Sequence, residues 1–355
     1  MLARPPRRHL PFGRHGLHLP ALLLFLVLSC YQLDLPGLHY DEVKEAGLNA
    51  LQLVRGQPLA AFRNAGLHIA GQTLPWMVQD YIGALNVYLT VPLVACFGST
   101  PLALRVLPIL QAVGTLLCLY RLTLEETGSS LAATAAALLL AVNPSFIFWS
   151  RQGVFVTSVT ALLFLASLLA VRHWQRSESP RALYALAVLW GQGLWAKLLF
   201  IWAIGAMLIW LLLAFGLTRT RLRLTRVQAG AAVALFLLGF MPLILYNLET
   251  SGTLWALFGN LGTSYYGVQN AAFADNLAER LRQVLTLLRG DHFWYLGGLP
   301  ANAAAIYAAG ALVLLALLAI LRRRGQGVEL LTPILLILLM VVQSSFTISD
   351  LFITH

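Results

Sequence analysis

The chain has 355 residues, of which 59% are hydrophobic and 11% charged, and its formal net charge is +10. A water-soluble domain does not tolerate so apolar a composition, so the sequence predicts an all-α, polytopic helical membrane protein. The positive charge does not indicate nucleic-acid binding, because the arginines lie in short loops between apolar runs, where they report membrane orientation.

Ten apolar runs are candidate membrane spans. They cover 19–33, 79–98, 103–120, 129–149, 153–171, 182–196, 198–216, 228–246, 303–321 and 330–347. If all ten cross with the arginine-rich N-terminus inside, three basic segments fall outside the cytoplasm and break the positive-inside rule. These segments are 172–181, 217–227 and 322–324.

Excluding 79–98 from the crossings removes all three conflicts. This run contains Asp80, Asn86 and Pro92, which are poor residues for a membrane span. The sequence therefore predicts about nine crossings. It also predicts a long first external loop, about 34–102, that carries two interfacial helices, one starting at Asp41 and one over 79–98.

The densest cluster of carboxylates follows the first apolar run, in the sequence Leu-His-Tyr-Asp-Glu-Val-Lys-Glu-Ala at 38–46. Asp41 and Glu42 fall in the first turn of a predicted helix with one apolar face, and Gly56 and Pro58 end it. An amphipathic helix next to a membrane span lies in the interface, so a carboxylate faces water at the membrane surface. The alternative is that these acids only favour a helix N-terminus.

Two basic residues, Arg151 and Lys197, lie at span ends on the same predicted face as Asp41, and Arg105 begins the next predicted span. Together they could hold an anion such as a lipid phosphate at the outer surface. The alternative is that each anchors a helix end in the interface. The three cysteines lie in apolar runs, and the sequence predicts no metal site and no cofactor.

The second long external segment, 248–302, contains a predicted interfacial helix from Asp275 to about Arg289, with leucines on one face. An aromatic stretch follows at 291–295 and is typical of an interfacial belt. We divide the chain into a module over 1–250 and, over 251–355, an external loop with an interfacial helix plus two final spans.

Several short motifs, taken in order, resemble a known superfamily. They are Asp41-Glu42, Arg105, Asn-Pro…Ser-Arg at 143–151, Gly…Lys at 193–197, and Tyr246-Asn247. Over roughly 19–250 this pattern is similar to the polytopic C-type glycosyltransferases, in the branch of protein O-mannosyltransferases and lipid A aminoarabinose transferases. The resemblance implies sugar transfer from a polyprenyl phosphate to a lipid, glycan or protein acceptor at the extracytoplasmic face of the plasma membrane.

The resemblance also implies residue roles. Asp41 acts at the reacting centre with Glu42 in support, the cations Arg151, Lys197 and Arg105 bind the donor phosphate, and Tyr246 and Asn247 also bind substrate. Two departures matter: no acid follows the Ser-Arg position, and the chain stops at a span end, as a C-terminally truncated relative would. The rival interpretation is a transporter or flippase of a lipid-linked or anionic solute, which would use the same cations without chemistry.

Overall fold

The chain is seen here in a computed structural model that describes residues 18–35, 37–152, 156–218, 224–264, 267–289, 303–322 and 331–346. The described part is predominantly helical. Its helices are α1 Leu19–Cys30, α2 Tyr40–Glu42, α3 Leu48–Val54, α4 Leu85–Phe97, α5 Pro101–Thr127, α6 Ser130–Ala141, α7 Pro144–Gln152, α8 Thr157–Ser177, α9 Pro180–Ala196, α10 Ile201–Thr218, α11 Arg226–Gly239, α12 Met241–Thr250, α13 Gly252–Gly259, α14 Phe273–Arg289, α15 Ala303–Arg322 and α16 Thr332–Ser344.

Two of the described helices, α5 and α8, are long and apolar enough to cross a membrane. Two bent pairs add a span each if every pair crosses as one unit: α6 with α7, bent by 63°, and α11 with α12, bent by 58°. Pro144 and Pro242 stand at these bends, where proline removes a backbone donor and interrupts the helix. The all-α class is confirmed, whereas the number of crossings stays a prediction.

The central bundle is formed by α5 packing on α6 and α8, α8 on α9, and α9 on α11. Glycine permits the closest of these approaches. A Cβ on Gly191 would lie 2.5 Å from the Phe236 carbonyl oxygen and 2.8 Å from the Gly239 Cα. Small residues at such crossings let two helix backbones pack directly.

The first loop, about 34–102, agrees in outline with the sequence prediction and differs in detail. A helix starts at Tyr40, passes through a π-turn at Val43–Gly47 and ends at Val54. The second predicted helix, over 79–98, is shorter, at Leu85–Phe97. Four short strands precede it: β1 Gly66–Ile69 pairs antiparallel with β2 Gln72–Pro75, and β3 Met77–Gln79 pairs antiparallel with β4 Ile82–Gly83.

Charged residues divide between the two ends of the bundle. At the end where α5 and α8 terminate, Arg176 contacts Glu125 at 2.9 Å and Glu126 at 3.0 Å, and Arg172 contacts Glu126 at 2.7 Å. The opposite end, where α5 begins, carries the first loop with Asp41, because Arg105 near the start of α5 pairs with Glu42. The segment 172–181, which its arginines predict to be cytoplasmic, spans the end of α8 and the start of α9 and lies at the other end of the bundle from Asp41.

The helix predicted from Asp275 to about Arg289 is observed as α14, Phe273–Arg289, so it begins two residues earlier and Asp275 lies in its first turn. An additional short helix, α13, precedes it. Several predicted features lie outside the described residues: the N-terminal arginines before 18, most of the arginines of 217–227, part of the 322–324 triplet, the aromatic stretch 291–295 and the final residues 347–355.

Candidate active site

The segment between α1 and α2 is held by two arginines from different helices. Arg151, in the last turn of α7, places Nη2 at 3.0, 2.7 and 3.1 Å from the carbonyl oxygens of Tyr31, Gln32 and Leu35. These carbonyls follow the last turn of α1, where backbone acceptors lack helical donors and attract a cation. Arg151 therefore fixes the direction in which the chain leaves α1.

Arg105, in the first turns of α5, makes the second attachment. Its Nε and Nη2 each lie 3.0 Å from an oxygen of Glu42, which forms a two-point ion pair. Its Nη1 donates to the Leu33 carbonyl, and Nη2 also reaches the Gly37 carbonyl at 3.1 Å. The Arg105 and Glu42 side chains are 0% and 1% exposed, so this pair is enclosed by protein.

Asp41 lies between these attachments, at the start of α2. The backbone N–H of Asp41 donates to His39 Nδ1 at 3.2 Å, and the His39 N–H donates to Glu42 Oε1 at 2.9 Å, which forms a capping box. The Asp41 carboxylate lies 3.4 Å from His39 Nδ1 and stays 17% exposed. Glu42 therefore caps the helix and pairs with Arg105 inside the protein, whereas the Asp41 side chain is partly exposed.

Lys197 enters the same end of the bundle where α9 stops. Its neighbour Leu198 donates its N–H to the Tyr81 carbonyl at 2.9 Å, and Lys197 itself bridges to Ile82 in antiparallel fashion. Its side chain is buried. Burial lowers the pKa of Lys197 to about 8, and the charge of Glu45, itself buried on the helix of Asp41, opposes that shift.

Tyr246 and Asn247 belong to a second cluster, centred on Asp80. The Tyr246 hydroxyl donates to Asp80 Oδ1 at 2.5 Å, and Arg63 holds both Asp80 oxygens at 2.7 and 2.8 Å. Asn247 donates to the Leu243 carbonyl at 2.8 Å and accepts from the Leu254 N–H at 3.2 Å. Among the described residues, no hydrogen bond or ion pair joins Tyr246 or Asn247 to Asp41.

Two acids of this second cluster were not assigned a role from the sequence. In the sequence analysis, Asp80 was used only as a charge that argues against 79–98 as a membrane span. Glu249 accepts from Trp76 Nε1 at 2.8 Å and from the Gly66 N–H at 3.1 Å, so it ties α12 to the strands of the first loop. The sequence signal that could have identified Asp80 is its charge inside an apolar run. Glu249 has no such local signal, because its partners are 173 and 183 residues away along the chain.

The described residues contain no group of three or more His, Cys, Asp or Glu side chains that could hold a metal ion. Instead, Arg105 of α5 and Arg151 of α7 bind the segment before Asp41, and the charge of Lys197 interacts with that of Glu45. This arrangement can hold a carboxylate at a surface and can neutralise an anion next to it.

A family model described as dolichyl-phosphate-mannose-protein mannosyltransferase matches residues 85–246. The match runs from α4 into α12, so it includes Arg105, Arg151, Lys197 and Tyr246, while Asp41 lies before it. It confirms the resemblance indicated by the sequence motifs. Comparison with curated proteins and with solved structures gives no match. The match makes residues 85–246 similar to a mannosyltransferase family, and the apolar helices agree with an integral membrane protein.

The Arg105–Glu42 pair generates a stability prediction. Replacing Arg105 with alanine leaves a buried carboxylate without its counter-charge, and we expect a loss of about 3–5 kcal/mol in the free energy of unfolding. The matched control is Arg121→Ala on the same helix, whose pair with Glu125 is exposed, so its loss should stay below about 1 kcal/mol. Denaturant titration of the purified protein in detergent measures both, and equal losses would contradict a special role for the buried pair.

Proposed function

We propose that this chain transfers a sugar from a polyprenyl-phosphate donor to an acceptor at the extracytoplasmic face of the plasma membrane, with inversion at the anomeric carbon. The acceptor class, a lipid, glycan or protein, supplies a nucleophilic hydroxyl. The family match over 85–246 supports the transfer of a sugar, and the apolar helices support a membrane-embedded donor. The proposal assigns the chemistry to the Asp41 end of the bundle.

The observation that carries the proposal is the different environment of two adjacent carboxylates. Glu42 is buried against Arg105, whereas Asp41 starts the same helix with its side chain reaching the surface. A hydroxyl is a weak nucleophile at neutral pH and needs a positioned base. Asp41 is the acid of this stretch that can meet an acceptor, and Glu42 supports it by fixing the helix start.

The donor phosphate would be held by Arg151 and Lys197. Arg151 is half-buried, and its contacts with described residues use Nη2, which leaves Nε and Nη1 for an anion. Lys197 adds a second positive charge at the same end of the bundle. Arg105 acts differently in this proposal, because its buried guanidinium is engaged with Glu42 and two carbonyls, so it positions Asp41 rather than binding phosphate.

The transfer is a single displacement. Asp41 accepts the proton of the acceptor hydroxyl while the hydroxyl oxygen bonds to the anomeric carbon from the face opposite the phosphate. The bond between that carbon and the phosphate oxygen breaks, and the lipid phosphate departs with the electron pair. Its growing negative charge is stabilised by the two cations. The products are the glycosylated acceptor and the free lipid phosphate, and Asp41 then releases its proton to solvent.

The first test removes the base. Asp41→Asn keeps the size of the side chain and its place at the helix start but cannot accept a proton. We expect sugar transfer to fall about a hundred- to ten-thousandfold, the usual cost of losing a general base. Binding of the donor lipid should persist, because Arg151 and Lys197 remain. The measurement is the release of free lipid phosphate from radiolabelled polyprenyl-phosphate sugars.

The matched control for Asp41→Asn is Asp34→Asn, an exposed acid on the segment just before it, which should transfer at the parent rate. A folded Asp41→Asn variant with parental turnover would end the catalytic assignment. Donor lipid that crosses the membrane without release of lipid phosphate would support the flippase alternative instead.

The second test concerns the donor phosphate. Arg151→Ala and Lys197→Ala should each weaken donor binding about tenfold or more, since each removes a charge-assisted contact. Arg151→Lys should restore binding only in part, because an ammonium cannot reproduce the guanidinium fork. Arg55→Ala, an exposed cation of the first loop, is the control. Unchanged donor affinity in both alanine variants would leave Arg151 and Lys197 as structural cations.

The third test addresses the orientation of the chain in the membrane. The proposal includes nine crossings with a cytoplasmic N-terminus, which places Asp41 outside and the end of α8 inside. In a variant lacking the three native cysteines, a cysteine is placed at exposed Gln57, after α3, or at exposed Ser177, the last residue of α8. We expect an impermeant thiol reagent to label Gln57→Cys in intact cells, and Ser177→Cys only after the membrane is opened. Labelling of Ser177→Cys from outside would refute this orientation.

A further inference from the structure

Helix α14 buries its polar face and exposes its apolar face, which is the reverse of an amphipathic helix on a soluble protein. Its buried residues are polar: Asn276, Arg280 and Gln283, spaced four and three residues apart on one face. Three leucines on the opposite side, Leu281, Leu285 and Leu288, are 40–45% exposed. A helix of this kind lies at a lipid surface, with its apolar face against acyl chains and its polar face turned into the protein.

The buried polar face is not satisfied within the described residues. Arg280 is 7% exposed, and its Nη1 donates to Gln283 Oε1 at 2.7 Å, but no described group accepts from its buried Nε. Nearby in the chain, buried Asn270 has an Oδ1 without a hydrogen bond, while Asn276 Nδ2 donates to the Gln269 carbonyl at 2.9 Å. Buried charges in proteins are normally paired or bound to a ligand.

The acid next to Arg280 does not fill this role. Both oxygens of Glu279 lie 2.6 Å from nitrogens of Arg282, and Gln283 Nε2 donates to one of them at 3.2 Å. Glu279 is thus the one carboxylate described beside two arginines, Arg280 and Arg282. One positive charge therefore has no described counter-charge at the buried face. Burial lowers the pKa of Arg280 to about 10, against the opposing charge of Glu279, so the guanidinium stays protonated at neutral pH.

We propose that Arg280, with Gln283, forms a binding site on α14 for a phosphate group, and that an anionic lipid headgroup supplies it. A guanidinium edge with free donors matches phosphate oxygens, and the exposed leucines keep the helix where lipid headgroups lie. This site involves neither Asp41 nor the cations assigned to the donor, so it stands or falls independently of the proposed sugar transfer.

The experiment uses the full chain in lipid nanodiscs and two photoactivatable probes, a diazirine-bearing phosphatidic acid and the corresponding phosphatidylcholine. Lipids cross-linked to the 273–289 peptide are counted by mass spectrometry, and the ratio of the two probes reports headgroup preference. We expect the parent protein to prefer phosphatidic acid on this peptide. Arg280→Gln should lower that preference about tenfold or more, because it removes a charge-assisted contact.

Two further variants sharpen the comparison. Arg289→Gln removes the same charge from an exposed position of the same helix and should keep the parental preference. Gln283→Glu supplies Arg280 with an internal carboxylate at the position of its present partner, so the folded variant should lose the preference. Gln283→Glu also tests the phosphate site if Arg280→Gln does not fold.

Inorganic phosphate, added as a competitor, distinguishes the two sources of the phosphate group. Competition means that the phosphate group alone is recognised, and its absence means that the lipid is required; both results support a phosphate site at Arg280. Equal probe yields on the parent peptide would overturn the proposal. So would equal losses in Arg280→Gln and Arg289→Gln, or a folded Gln283→Glu variant that keeps the parental preference.

Discussion

The ion pair between Arg105 and Glu42 is the contact on which the candidate site depends. It joins the first turns of α5, a membrane-length helix, to the start of the helix that carries Asp41. Because both side chains are enclosed, loss of either partner leaves an unpaired buried charge, which costs far more than loss of a surface pair. The same guanidinium binds the carbonyls of Leu33 and Gly37, so one side chain fixes both the segment before Asp41 and the residue after it.

A division of labour among similar residues follows from this arrangement. Of the three acids between 41 and 45, Glu42 and Glu45 are buried, and Asp41 alone reaches the surface within that stretch. Of the three cations, Arg105 is paired with Glu42, Lys197 is buried near Glu45, and Arg151 is half-buried and contacts described residues through Nη2. Burial and pairing, rather than residue type, therefore distinguish these charged residues, and the proposed roles follow that distinction.

The sequence predicted most helices within a few residues, because apolar periodicity and the Gly and Pro breaks are local signals. It also placed α14 well, since its leucines recur at helical spacing. It missed the strands over 66–83, which are two to four residues long and carry little alternation. They are stabilised by partners distant in sequence, such as Glu249 with Trp76 and Tyr81 with Leu198, and such contacts leave no local pattern.

The sequence by itself determined the class of protein, the arginine-rich end of the bundle, and the choice of Asp41, Glu42, Arg105, Arg151 and Lys197 as the charged residues of interest. Composition and short motifs suffice for these, because membrane insertion constrains where charges can stand. Only the tertiary structure decided which partner each charge has. Glu42 pairs with a residue 63 positions away, and Tyr246 bonds to Asp80 across 166 positions. Whether a carboxylate is enclosed or open depends on how the helices pack, and packing is a property of the whole chain.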